Sequence, residues 1–333
     1  MESSRARRSR RARPSRTRPL LYTALAVVAV VGGTAAGTVY VKARAHSGAS
    51  PVSSAASASS STTAGVEESV EPVAEPAVDH DALLAKALKS VAVAGKAKVS
   101  VAVLDLDSGD SATYGSGAFD TASIVKVDIL ATLLLQAQDA GRHLTATEKS
   151  YATTMIENSD NTAASALWDT IGEADGLDAA NKRLGLTGTE GGDGALWGLT
   201  QTTAADQLTL LQQVFGDDSK LSKASRAYIQ ELMGQIEADQ HWGVSAAGDG
   251  SKWALKNGWL ARSATGLWDI NSIGRVTVDG HTYLVAALSK GNSTQAKGIS
   301  LVEAAAKAAV SVFAGDGDGS SVSPSASATA SVS

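Results

Sequence analysis

Strand-like patterning in this chain is confined to two stretches separated by a long segment that has none, and that separation limits the folds open to it. Lys98-Val-Ser-Val-Ala-Val-Leu-Asp-Leu-Asp107 alternates and is rich in β-branched residues, Ser108-Gly-Asp110 reads as a turn, and Ala112-Thr-Tyr114 suits a short return strand. From Thr145 to Leu211 the pattern is helical, broken by glycines, with no convincing strand. Strand signals resume at Trp253-Ala-Leu-Lys256, at Asp269 to Val278 and at Thr282 to Ser289, and Asp279-Gly280 between the last two is a strong hairpin signal. Helical spacing marks Asp81 to Val93, Ser222 to Gln235 and the Ala-rich Gly298 to Phe313. The order is one helix, two strands, a helical middle, three strands and a final helix. Its economical solution is an α+β domain whose two ends form one antiparallel sheet, with an all-helical middle region packed beside it. No period of repeat-protein length recurs.

The chain outside this region has a different character. Residues 1–19 hold eight arginines and one glutamate, so the remainder carries −12 against a total of −5. The basic run is confined to that tail, which argues against a nucleic-acid-binding surface on an acidic domain. Leu20 to Val41 is twenty-two residues without a charge, long enough to span a bilayer as a helix. Arginines before it, and only Lys42 and Arg44 soon after it, set the N-terminus in the cytoplasm. A cleaved signal ending at Ala43-Arg44-Ala45 is the competing reading. The expected organisation is a basic cytoplasmic tail (1–19), a membrane anchor or signal (20–41), a Ser/Ala/Pro-rich linker (42–78), a globular domain (79–314) and a low-complexity tail (315–333). The domain would lie outside the cell membrane, or be secreted if the signal is removed. With no cysteine, the chain has no disulfide, no thiol nucleophile and no Cys-ligated zinc.

Three short motifs carry chemistry. Ser123-Ile-Val-Lys126 stands where a Gly/Ser segment passes into the apolar run Val127 to Leu135. A helix there brings serine and lysine to one face, with the serine at the first turn, where free N–H groups favour developing negative charge. A desolvated lysine can lose its proton and activate a neighbouring hydroxyl. Ser159-Asp160-Asn161 falls between two helical segments, and Lys256-Asn257-Gly258-Trp259 lies on a predicted strand, placed near the sheet's centre. Gly258 is expected to let a ligand approach the backbone.

These motifs, in this order and context, resemble those of the penicillin-recognising serine hydrolases, above all the class A β-lactamase-like branch, whose marks are Ser-x-x-Lys, Ser-Asp-Asn and Lys-Thr-Gly. The resemblance spans roughly residues 80–314. It implies that Ser123 attacks an amide or lactam carbonyl to form an acyl-enzyme, with Lys126 accepting its proton. It implies that Ser159 relays a proton to the leaving nitrogen, that Asn161 binds the substrate's side-chain amide, and that Asp160 turns inward to fix its loop. Lys256 would attract the substrate carboxylate and keep Lys126 from being charged. The N–H groups of Ser123 and Trp259 would form the oxyanion hole, and the Trp259 ring could flank substrate.

Two departures qualify this. The threonine of Lys-Thr-Gly is Asn257, so an amide would meet the substrate carboxylate. The Glu-x-x-Leu-Asn loop that places the hydrolytic water in class A β-lactamases has no counterpart before Thr202-Thr203, where Glu190 and Asp193 are the carboxylates at hand, and Glu190 is the candidate base for deacylation. The five histidines are scattered, and no Gly-x-Ser-x-Gly elbow is present. The expected protein is an exported serine hydrolase that cleaves β-lactams or related amides without cofactor or metal. The alternatives are a D,D-peptidase or cell-wall amide hydrolase with slow β-lactam turnover, and a weakly catalytic cell-wall ligand-binding protein. Its partners would be a small-molecule or peptidoglycan-peptide substrate and the membrane, with no nucleic acid, and the chain is expected to be a monomer.

Overall fold

The computed structural model describes residues 78–313, all within the compact unit that begins at Val73. The basic tail, the apolar run 20–41, the linker up to residue 77 and the tail 315–333 lie outside the described residues. Among the described residues no helix is long and apolar enough to cross a membrane.

Helix α1 (His80–Leu88) precedes β1 (Lys98–Asp105) and β2 (Ser111–Tyr114); at the other end β5 (Trp253–Arg262), β6 (Leu267–Val278) and β7 (His281–Asn292) lead into α8 (Gln295–Ser311). The five strands form one sheet in the order β2-β1-β7-β6-β5, and each neighbouring pair is antiparallel. The two ends of the domain meet where β1 pairs with β7 from Lys98–Lys290 to Asp105–Tyr283. The β6–β7 hairpin turns on Asp279 and Gly280, both at positive φ (50° and 88°) as a tight primed turn requires.

Strand alternation gives the sheet two apolar faces. Val101, Val103, Leu255, Val276 and Val285 pack with Leu84 of α1 and Ala305, Ala306 and Ala309 of α8. Ala102, Leu104, Ala254, Ile273, Leu284 and Ala286 face the helical middle. That middle comprises α2 (Val125–Asp139), α3 (Ala146–Glu157), α4 (Asn161–Ile171), α5 (Glu173–Leu184), α6 (Ala204–Phe215) and α7 (Lys223–Met233). Helix α2 is its axis: twelve of its fifteen residues are buried, as expected of a helix that is apolar all round. Local rules fix the helix starts around it. Thr145 and Glu148 form a reciprocal capping box at α3, and Ser222, Thr203 and Thr294 each accept from a backbone N–H at the start of α7, α6 and α8.

Two features differ from the sequence expectation. The middle region does contain strand: Phe119–Asp120 (β3) pairs with Gln201–Thr202 (β4), a two-residue ladder too short to show alternation. And β5, which carries Lys256 to Trp259, is an edge strand and not a central one. An edge strand keeps one row of backbone donors and acceptors unpaired, which a central strand cannot offer to a ligand.

The free side of β5 meets the turn that precedes α2. A Cβ built on Gly258 would lie 2.8 Å from the N atoms of Ser123 and Ile124 and 2.8 Å from the Thr121 carbonyl. The backbone that requires this glycine is therefore the chain's own turn, in place of the ligand expected there. Gly258→Ala should drive β5 away from Ser123. The expected cost is about 1–3 kcal/mol by urea unfolding, together with loss of any activity that needs Ser123 and Trp259 in register.

Candidate active site

Ser123 lies in a single 3-10 turn, Ala122–Ile124, that runs directly into α2. Ala122 holds φ 48°, a left-handed conformation costly for a residue with a Cβ, so the turn is kept by its surroundings. Those surroundings come from far along the chain. The Thr121 N–H donates to the Thr200 carbonyl at 2.9 Å, and the buried Asn271 amide donates to the Asp120 and Thr121 carbonyls at 2.9 and 3.0 Å. Asn271 is the β6 partner of Gly258, so the residue that holds the turn stands opposite the one that makes room for it. Asp120 is also tied to Arg262 at the end of β5 and to Gln201 on β4.

Lys126, the second residue of α2 and one turn after Ser123, is fully buried. Its Nζ donates to the Ser159 carbonyl (2.6 Å), to Ser159 Oγ (3.1 Å) and to Asn161 Oδ1 (2.8 Å). Lys256, also fully buried, donates to the same Ser159 Oγ at 3.0 Å and to the Asn257 carbonyl at 3.0 Å. Three motifs remote in sequence thus converge on one hydroxyl. Ser159 takes φ 54° in the turn between α3 and α4, which points both its carbonyl and its side chain toward the lysines.

Electrostatics follow from the burial. Loss of solvent lowers the Lys126 ammonium from 10.5 to about 7, while the Asp160 carboxylate works in the opposite sense. Burial, and then repulsion from Lys126, hold Lys256 well below its ordinary value. Among the described residues no carboxylate hydrogen-bonds either amine, and Asp160 offsets only part of the effect of burial on Lys126. Ser123 Oγ makes no hydrogen bond among the described residues, which leaves it free to meet an electrophile.

The other sequence candidates divide. Asn161 is exposed at the start of α4, with its carbonyl oxygen committed to Lys126 and its amide N–H groups open to a ligand. Asp160 does not turn inward: it is exposed and caps α4 by accepting from Ala163 N at 2.7 Å. Asn257 does not present its amide to the cleft. It is fully buried and donates to the Gln240 and Trp242 carbonyls at 2.8 and 3.0 Å. Alternation explains this: Ala254, Lys256 and Gly258 share the face toward the helical middle, while Leu255, Asn257 and Trp259 share the α8 face. The Trp259 ring accordingly packs with Ile270, Ala287 and Val302, its centroid 6.0 Å from that of Trp242, and only its backbone belongs to the cleft side. Glu190 is exposed and pairs through its backbone with Gln201, with no hydrogen bond to Ser123, Lys126 or Ser159.

The loop that holds Glu190 brings an indole to the site. Trp197 lies with its ring centroid 5.0 Å from Lys126 Nζ, and its Nε1–H donates to Ser165 Oγ of α4 at 3.2 Å. Sequence reasoning passed over this residue, as it did Asn271 and Arg262, because no local pattern marks a side chain whose partner is 70 to 150 residues away. For a metal, the described residues with ligand spacing are Asp105, Asp107 and His281. Two of these are occupied otherwise: Asp105 accepts from Asp107 N and Asp107 from Thr282 N, which fixes the β1–β2 turn against β7.

Lys126 has a stability signature whose sign can be worked out. Its folded value lies below its unfolded one, so the native state binds fewer protons between about pH 7 and 10.5, and stability rises with pH across that window. Wild type should therefore gain on Lys126→Met by on the order of 3 kcal/mol between pH 7 and pH 10. Urea unfolding of both proteins at several pH values measures this; groups remote from Lys126 cancel in the difference, whereas Lys256, no longer repelled by Lys126 in the variant, contributes to it.

The sequence pattern of the beta-lactamase enzyme family matches residues 144–313, which is 170 of the 333 residues. No curated protein sequence matches the chain. Among solved structures the fold is similar to that of PBP-A, with 21% identity and a TM-score of 0.61 over 70% of this chain and 96% of that one. The TLA-1 extended-spectrum β-lactamase is similar at 17% identity and a TM-score of 0.61, over 70% and 97%. A β-lactamase from Xanthomonas campestris pv. campestris is similar at 20% identity and a TM-score of 0.55, over 69% and 95%. With the sequence pattern, the α+β architecture and the three-motif cluster in agreement, this chain belongs to the beta-lactamase enzyme family.

Proposed function

We propose that the protein is a serine hydrolase that opens β-lactam or related amide bonds through an acyl-enzyme at Ser123. The observation that carries this reading is the double donation from Lys126 and Lys256 to Ser159 Oγ. A hydroxyl has two lone pairs and one proton. With both lone pairs occupied by the amines, the Ser159 proton is left to point elsewhere, which is what a donor to a leaving nitrogen must do.

The steps balance without any further group. Lys126 in its neutral form keeps two N–H groups for its three partners and turns its lone pair to Ser123, whose proton it takes as Oγ bonds to the carbonyl carbon and the carbonyl oxygen becomes an oxyanion. The N–H groups of Ser123 and Trp259, brought together by the bare Cα of Gly258, are suited to receive that charge. The tetrahedral species collapses, the C–N bond breaks, and the nitrogen takes the Ser159 proton. Ser159 is reprotonated by Lys126 across 3.1 Å, which returns the lysine to its neutral form. Lys256 supplies the positive potential for a substrate carboxylate, and the free N–H groups of Asn161 suit a substrate amide carbonyl.

Release of the acyl group is the poorly equipped half. No carboxylate of the described residues hydrogen-bonds Ser123, Lys126 or Ser159, and the group facing Lys126 from the loop is the Trp197 ring, 5.0 Å from Nζ. This favours a long-lived acyl-enzyme, as in a peptidase-like member with slow β-lactam turnover. A PBP-A variant, 22% identical, is known as an acyl-enzyme complex with penicillin G, and the same adduct is proposed here. On the sequence alone, Leu20 to Val41 would hold the domain at the outer face of the cell membrane.

A fluorescent penicillin should label the protein covalently, and Ser123→Ala should abolish the label. Ser159→Ala should slow labelling about 10²–10⁴-fold, while a chromogenic cephalosporin is turned over slowly. Absence of both label and turnover in the wild type would overturn the β-lactam reading and leave a ligand-binding role or another amide substrate.

A further inference from the structure

We infer that Trp197 is a positioning residue that seals Lys126: its indole closes the loop-side approach to Nζ, excludes water there, and so keeps the lysine able to act as a base. The inference rests on the acyl-transfer reading for its catalytic consequence, but the seal itself is a property of the fold.

Lys126 is surrounded on known sides. Ser159 and Asn161 bind it from the turn between α3 and α4, Lys256 shares the Ser159 hydroxyl from β5, and α2 carries it. What remains is the side facing the 190–201 loop, and there the nearest recorded partner is the face of the Trp197 ring, at 5.0 Å. The charged groups acting on Lys126 are Asp160 from the α3–α4 turn and Lys256 from β5.

The indole is held by more than its own contact. Its Nε1–H is anchored to Ser165 Oγ, and its carbonyl accepts the Thr200 N–H at 3.1 Å in the 3-10 turn Trp197–Leu199. The loop is clasped on either side: Trp168 Nε1 donates to the Gly194 carbonyl at 2.7 Å, and the Gly192 N–H donates to Thr200 Oγ1 at 3.1 Å. Thr200 in turn accepts from the Thr121 N–H, so the same residue fixes the seal and the turn that presents Ser123. A half-buried tryptophan spanning from Ser165 to a buried amine is an expensive use of a loop position unless the amine must stay dry.

Two opposing effects act when the ring is removed. A ring face attracts a cation, so its loss alone would ease deprotonation; admission of water restores the hydration of the charged form and hinders it. Burial is the largest influence on Lys126, so hydration should win. Trp197→Ala and Trp197→Gln should therefore make Lys126 harder to deprotonate, whereas Trp197→Phe, which keeps a ring and loses only the Ser165 bond, should behave like wild type.

The test uses the full chain with isotopically labelled lysine, the Lys126 signal being assigned by its absence in Lys126→Met. Its NMR titration should have a midpoint near about 7 in wild type, at least one pH unit higher in Trp197→Ala, and little changed in Trp197→Phe. In parallel, the rate of labelling by a fluorescent penicillin in Trp197→Ala should fall about fivefold or more at pH 7 and recover toward the wild-type plateau at alkaline pH. An unchanged Lys126 midpoint in Trp197→Ala overturns the inference; if that variant does not fold, the same outcome in Trp197→Gln does so. A shifted midpoint in a protein that no penicillin labels keeps the seal and overturns the β-lactam reading, so the two failures are told apart.

Discussion

Two buried amines and one hydroxyl set the terms on which this domain is built. Lys126 and Lys256 both reach Ser159 Oγ, from a helix of the middle region and from an edge strand of the sheet, with no carboxylate hydrogen-bonded to either. Two like charges in a dry space repel and cannot both be cheaply protonated, so the arrangement favours loss of a proton. Such a cluster lowers the stability of the fold at neutral pH. It persists because the surrounding packing, α2 buried on nearly every side and a sheet covered on both faces, is large enough to hold it.

The same economy recurs in the backbone. Ala122 and Ser159 both take left-handed conformations, and they are the residue before the candidate nucleophile and the candidate proton relay. Neither is a glycine, so neither adopts this conformation for its own comfort. Asn271, Thr200 and the missing side chain of Gly258 hold the first turn, and the hydrogen bonds from Lys126 and the cap at Asp160 hold the second. Two of the four left-handed non-glycine residues among the described residues thus sit where chemistry is proposed, the others being Glu173 and Asp279.

The family likeness and the local departures have different physical content. Sheet order, helical middle and lysine–serine convergence are the frame shared with the family. The loop between α5 and β4 is where this chain differs from the expectation of a water-activating carboxylate. It brings Trp197 to Lys126, and Glu190 stays at the surface on a backbone bridge to Gln201.

Much of this was legible before any coordinates. Alternation at Lys98–Asp107 and after Trp253, the Asp279-Gly280 turn and the helical middle determined the α+β class, because periodicity depends only on neighbouring residues. The order of Ser123, Lys126, Ser159, Asn161 and Lys256 determined which side chains were candidates. Tertiary structure decided the rest. It made β5 an edge strand, turned Asn257 and Trp259 to the α8 face while Lys256 faced the cleft, left Asp160 at the surface as a cap, and set Trp197 on Lys126. The reason is range. A motif records which groups are near one another in sequence, whereas the face a strand residue takes and the side chain that seals a buried amine are settled by packing between segments far apart in the chain.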